Sequence, residues 1–207
     1  MRMRNRRGKR AEMRRTVPLF SVLLALPLMG SGASRSHAKV NPDAQLFKEF
    51  SDRVKQYVDL QKKLEGELPH LSDKADATAI AAHKKALTDS MRQARANAAP
   101  GDIFLPKVQP LFKRIIKANL RGPNGRAIGH AIHTGNPKDE EGKPSKITVR
   151  VNAPYPADEP LSNVPPELLS NLPTLPDSVT YRFVGRDLIL RDSKAALIVD
   201  FIREVTR

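Results

Sequence analysis

Residues 179–205 constrain the fold most, because they form the densest apolar run outside the first 38 residues. Val179, Tyr181 and Phe183 alternate with Thr180 and Arg182, the period of two that marks a half-buried strand. Gly185-Arg186 then offers the Gly-X loop favoured by type II′ hairpins. A two-residue loop sets Phe183 opposite Leu188 and Tyr181 opposite Leu190, so four large apolar side chains share one face. Beyond the hairpin, Asp192 or Ser193 has the chemistry of a helix cap. At about 100° per residue, Leu197, Ile198, Phe201, Ile202 and Val205 fall on one arc, with Asp200, Arg203 and Glu204 on the other. The stretch therefore predicts a β-hairpin covered on one face by a C-terminal helix.

The preceding residues supply helices. Asn41-Pro42-Asp43 combines a capping side chain, a proline for the first turn and an acid near the positive end of the helix dipole. Phe47, Phe50, Val54, Tyr57, Leu64 and Leu68 recur at helical spacing as far as Pro69. Ser72-Asp73 opens a second predicted helix with an apolar face of Ala77, Ile80, Leu87, Met91, Ala94 and Ala98. The two make a helical hairpin over residues 39–99, whose heptad-like spacing suits either intramolecular packing or a partner helix. A third helix is predicted from Lys107 or Pro110 to Leu120, stopped by Gly122 and Pro123. A glycine-rich segment completes residues 100–135. Residues 138–145 read as an exposed loop. Ile147, Val149 and Val151 alternate cleanly as a further strand, and a proline-rich connector follows over residues 154–176. Its apolar residues, among them Tyr155, Leu161, Val164, Leu168, Leu172 and Leu175, suit a wrap lying on the core, with a short helical turn near residues 165–172. The expected architecture is α+β: a helical hairpin, a third helix, and a small antiparallel sheet of about three strands under a C-terminal helix.

The first 38 residues have the form of a secretory signal. Arg2, Arg4, Arg6, Arg7, Lys9, Arg10, Arg14 and Arg15 make a positive region, residues 17–29 an apolar one, and Ser36-His37-Ala38 a small-x-small cleavage pattern. Cleavage after Ala38 is expected, with Ser31-Gly32-Ala33 a second candidate. The apolar run is shorter than the roughly 20 residues a bilayer span needs, so no transmembrane segment is expected in the mature chain. Nine basic residues and one acid lie here, so +8 of the formal +14 belongs to the leader and +6 to residues 39–207. With no cysteine in the chain, disulfides and thiolate metal sites are excluded, and one core of residues 39–207 must carry the fold. The destination this implies is periplasmic or extracellular.

Two places could bear chemistry. On the third helix, Leu111, Phe112, Ile115 and Ile116 take one side, while Lys113, Lys117 and Arg121 line the other with Arg114 beside them. Residues 103–138 hold seven basic residues and no acid, so this face is the candidate for binding an anionic surface, against the plainer account of a solvated helix face. Nucleic acid is the weakest anion here, because three Tyr, seven Phe and no Trp leave few platforms for stacking bases. The second place is the pair His130 and His133, three apart and so on one face of any helix, a possible centre for a metal-assisted hydrolase. Asp139, Glu140 and Glu141 are the nearest acids in sequence. His70 and His83 have no evident partner, and no dinucleotide fingerprint, P-loop or nucleophile elbow is present. No cofactor is expected.

Pro100-Gly101-Asp102-Ile103-Phe104, together with Tyr181-Arg182-Phe183, Asp187-Leu188-Ile189-Leu190-Arg191-Asp192 and Ile198-Val199-Asp200-Phe201-Ile202, resembles stretches of small exported bacterial proteins with no assigned activity. The resemblance implies export and carries no catalytic residue. The expectation is a non-enzymatic exported domain that binds a protein partner or an anionic surface, with the hydrolase as the alternative.

Overall fold

Three strands, β1 (Val179–Val184), β2 (Asp187–Asp192) and β3 (Leu197–Ile202), form one antiparallel sheet in the order β1-β2-β3. The computed structural model describes residues 41–138, 142–143, 147–156 and 164–207. The expected leader with its Ala38 site, the acids Asp139, Glu140 and Glu141, most of the expected loop at 138–145, and Leu161 lie outside the described residues. The first hairpin has the expected register, with Phe183 paired to Leu188 and Tyr181 to Leu190. Gly185 takes φ +60° while Arg186 stays at negative φ, the signature of a type II′ turn.

The segment after Asp192 is a strand, which corrects the expected C-terminal helix. Residues 193–196 turn, with Ala196 at φ +49°, and the six residues of β3 return along β2, all of them buried. A short apolar run fills a helical arc or both faces of a strand equally well, so periodicity does not separate the two. The β-branched side chains of Ile198, Val199 and Ile202 favour the strand. The β2–β3 register also slips: Arg191 pairs with Ile198 but Leu190 with Asp200, leaving Val199 as the extra residue of a bulge.

Both faces of the sheet are covered. Tyr181, Phe183, Leu188, Leu190, Val199 and Ile202 face the helices. Val184, Ile189, Ile198 and Phe201 form a second cluster with Val151, Ala153 and Tyr155. The alternation of Ile147, Val149 and Val151 therefore does mark a half-buried extended segment, but not the ladder strand it predicts. Only its far end reaches β3: Asn152 N–H donates to Ile198 O at 2.9 Å, Ile198 N–H to Ala153 O at 2.9 Å, and Tyr155 N–H to Ala196 O at 2.7 Å. Pro154 has no N–H to give and Asn152 turns the chain at φ +61°, so among the described residues pairing with β3 stops at a single bridge between Pro154 and Leu197.

The helical layer begins with α1 (Pro42–Gly66), whose Asn41 side chain accepts from Asp43 N–H at 3.0 Å. α2 (Ala77–Ala94) packs on it but starts later than Ser72-Asp73 implies. Asp76 is the cap, accepting from Ala79 N–H at 2.7 Å, and Ser72 instead holds a turn through Lys74 N–H. Leu87 and Met91 are the buried residues of α2, and Ile80 stays half exposed. α3 (Gln109–Arg121) inserts Leu111, Phe112 and Ile116. Phe112 and Phe50 lie with ring centroids 4.9 Å apart, and Phe104 meets them at 5.1 and 5.2 Å, an aromatic knot at the centre of the core. The glycine-rich segment is a helix, α4 (Gly125–Thr134). In the proline-rich connector, α5 (Pro166–Leu169) buries Leu168, and Val164 and Leu172 are buried beside it, as a wrap requires.

The corner between α3 and α4 depends on one glycine. A Cβ on Gly125 would stand 2.0 Å from the Leu120 carbonyl oxygen, which backbone cannot yield cheaply. Gly125→Ala will lower the stability measured by urea unfolding by about 1–3 kcal/mol. Gly66→Ala, at the end of α1 with nothing within 4 Å, will leave it unchanged or raise it by up to about 1 kcal/mol.

Candidate functional site

The basic face predicted on α3 exists because its opposite side is committed to the core. With Leu111, Phe112 and Ile116 buried, the 3.6-residue period turns Lys113, Lys117 and Arg121 outward, four residues apart, and all three are exposed. Arg114 is also exposed, but it is ion-paired with Asp43 in the first turn of α1, and Lys107 pairs with Glu49 at 2.6 Å. The four candidate residues thus divide. Among the described residues, no carboxylate lies within ion-pair distance of Lys113, Lys117 or Arg121, whereas Arg114 spends its charge on helix-to-helix contact. Arg126, in the first turn of α4, is exposed and likewise without a described carboxylate partner. Arg121 also sits in the last turn of α3, where a cation complements the helix dipole.

His130 and His133 both lie on α4 and both are exposed. Among the described residues no carboxylate bonds to either ring, and no three His, Asp or Glu side chains gather as metal ligands. His133 borders a cleft of about 520 Å³ that also holds Asp187, Arg203 and Glu204. The carboxylates there are already engaged: Asp187 accepts from Arg203 and from Glu204 N–H, and Glu204 lies 3.6 Å from Arg186 and 3.7 Å from Arg207. Nothing in that arrangement orients an imidazole.

The strongest polar constellation is one the sequence pattern hides. Asp192 and Asp200, both fully buried, lie on the helix-facing side of the sheet. Asp200 accepts from four backbone N–H groups: Gly101 at 3.0 Å, Ile103 at 2.9 Å, Phe104 at 2.8 Å and Phe201 at 2.8 Å. Gly101 reaches it at φ +92°, a conformation that suits glycine. Asp192 accepts from Tyr57 Oη at 2.6 Å, from Gln61, and from Lys194 and Ala195 N–H at 2.7 and 2.8 Å. Arg95 lies near both, its guanidinium 4.9 Å from the Tyr57 ring centroid and donating to Asn152 Oδ1 at 2.9 Å and Val199 O at 3.2 Å. Burial lowers the Arg95 pKa, against the opposing pull of Tyr57, Asp200, Asp102 and Asp192. Every polar atom of these two carboxylates is occupied by the protein itself, so the cluster is a fastening and not a reactive centre. An acid inside the run Ile198-Val199-Asp200-Phe201-Ile202 is the sequence signal that points to it, since an Asp flanked so is buried only when fully bonded.

No protein-family model, curated protein or solved structure matches the chain.

Asp200→Ala leaves three loop N–H groups without their acceptor and will cost about 3–5 kcal/mol in urea unfolding. Asp59→Ala, which removes an exposed ion pair with Lys55, will cost less than about 0.5 kcal/mol. Burial, then the charge of Asp192 and the hydrogen bond to it, hold the Tyr57 hydroxyl well above the ordinary phenol range, and burial does the same for Tyr181. Both stay protonated in the fold while the unfolded chain ionises near pH 10. Their contribution is therefore complete below about pH 10 and falls above it, by about 1.4 kcal/mol per tyrosine per pH unit. Tyr181→Phe will remove one such share from the alkaline slope of stability, read by urea unfolding between about pH 9 and 11.

Proposed function

We propose that the chain is exported by its first 38 residues and acts outside the cytoplasm as a non-enzymatic domain that binds an anionic surface through the exposed face of α3. The observation that carries this is the set Lys113, Lys117 and Arg121, aligned on one helix face with no described carboxylate to neutralise them. Arg126 extends the same charge onto α4. The other side of α3 is occupied by the core, so the helix has no free apolar face to insert into a bilayer, and contact would be electrostatic and superficial.

The surface chemistry favours an anionic headgroup or polymer over nucleic acid. Tyr57, Tyr155 and Tyr181 are all buried, as are Phe50, Phe104, Phe112, Phe183 and Phe201, which leaves half-buried Phe47 as the least covered described aromatic ring. Base stacking needs exposed rings. The hydrolase alternative on His130 and His133 draws no support from two exposed imidazoles without a described carboxylate.

Residues 39–207 will bind vesicles containing anionic lipid at low salt and release them as ionic strength rises. At roughly 1 kcal/mol per surface cation, the change of Lys113, Lys117 and Arg121 together to Glu will weaken binding by about a hundredfold or more, measured by co-sedimentation. Equal retention of variant and parent would remove the proposal.

A further inference from the structure

A second site is built beside β1, on residues separate from the basic face. A cleft of about 790 Å³ opens between residues 164–177 of the proline-rich segment and the first four residues of β1. Its walls include Val164, Leu169, Pro173, Leu175 and Tyr181. Leu169 is 47% exposed, one of two large apolar side chains left so open among the described residues. A mostly apolar cleft with a few convergent polar groups is the usual form of a small-molecule site.

The polar groups are Thr180 and Arg182, on the same face of β1 and both lining the cleft. Thr180 Oγ1 and Arg182 Nε are buried atoms with no hydrogen-bond partner. Native folds seldom leave such donors unmet. The Arg182 guanidinium donates through Nη1 only to the carbonyl of its neighbour Tyr181, at 3.2 Å, among the described residues. On the next strand Arg191 faces the same side, 8% exposed, its Nε also unpartnered and its guanidinium held 5.0 Å from the Tyr155 ring centroid. No described carboxylate bonds to either arginine. Asp177, the one acid among the described residues of the lining, is exposed. Burial lowers the pKa of both guanidinium groups against the opposing pull of Tyr155, and for Arg191 the nearness of Arg182 lowers it further while Asp192 raises it.

We propose that this cleft binds an aliphatic monocarboxylate, its carboxylate paired with the half-buried guanidinium of Arg182 and its chain lying on Leu169 and Leu175. One half-buried cation beside apolar walls suits a singly charged headgroup. A doubly charged phosphate would lose far more hydration in entering walls this apolar, with nothing further to bond.

Residue-resolved NMR of the isotopically labelled full chain, titrated with octanoate, tests it. Octanoate will shift the amide signals of Leu169, Leu175, Thr180, Tyr181 and Arg182 in a saturable way. Octanol, octylamine, acetate and inorganic phosphate will each bind these residues at least about tenfold more weakly. Arg182→Met will weaken octanoate by roughly tenfold or more, and Leu169→Glu, at an exposed position of the cleft wall, by about threefold or more. If Arg182→Met does not fold, Leu169→Glu with the map of shifts on the parent decides the matter. Octanol binding as well as octanoate, shifts confined to α3 or to the first 38 residues, or undiminished binding by the folded variants would each overturn the proposal.

Discussion

The fold depends on a carboxylate that the sheet aims inward. In an unbroken ladder from Asp192–Leu197 and Arg191–Ile198, Val199 would lie opposite Leu190 and Asp200 opposite Ile189, on the face covered by Tyr155 and Val151. The bulge at Val199 shifts the pairing by one residue, so Asp200 stands opposite Leu190 and faces the helices. A slip of one residue exchanges the two faces of a strand, and here it turns an acid from the side of an apolar cluster toward a loop with three backbone donors. Isolating a carboxylate from water is costly, and the cost is met only when fixed donors replace the lost hydration. The four N–H groups around Asp200 do so, and their geometry admits one position of the loop.

From that position the rest of the helical layer follows. The loop held by Asp200 carries Phe104, which stacks on Phe50 of α1 and meets Phe112 of α3 edge-on. Asp192, two residues along β2 from the partner of Asp200, ties α1 through Tyr57 and Gln61. Arg95, between the two acids, links the end of α2 to Asn152 and β3. The orientation of α3, and with it the outward turn of Lys113, Lys117 and Arg121, is thus set by a contact made far away in sequence, at Asp200. An exposed basic face is positioned by a buried, fully bonded anion.

What the residues disclose on their own is the local part of this arrangement. The hairpin register follows from Gly185 and the alternation on either side of it, and the start of α1 and the end of α3 follow from Asn41-Pro42 and Gly122, because each signal acts within a few residues; α1 itself stops at Gly66, short of Pro69. The α+β class follows from these elements together. Residues 197–202 misled because a strand buried on both faces has no alternation to read, and Asp200 then looked like the polar side of a helix. Ile147, Val149 and Val151 misled in the opposite sense. Their alternation reports contact with a core on one side, which an extended segment achieves without a ladder. Of the candidate site, Lys113, Lys117 and Arg121, which have no carboxylate partner among the described residues, were legible from helical spacing, while the pairing of Arg114 with Asp43 joins residues on two helices and leaves no local trace. Nor did any pattern mark Thr180 and Arg182, whose unmet donors become visible only once residues 164–177 close over β1.

The two proposed sites use positive charge in opposite ways, and this makes them separable. Lys113, Lys117 and Arg121 are solvated, so their attraction for an anionic surface is long in range, insensitive to the chemical detail of the anion, and screened by ions within about 8 Å at physiological ionic strength. Arg182 is partly withdrawn from water between apolar walls, so its attraction is short in range, selective for a ligand that tolerates those walls, and little screened. Salt therefore divides them: raising it should empty the surface of α3 while leaving the cleft beside β1 able to hold its ligand. A dependence on ionic strength shared by both would mean that Arg182 is as open to water as the lysines, which the buried position of its Nε contradicts.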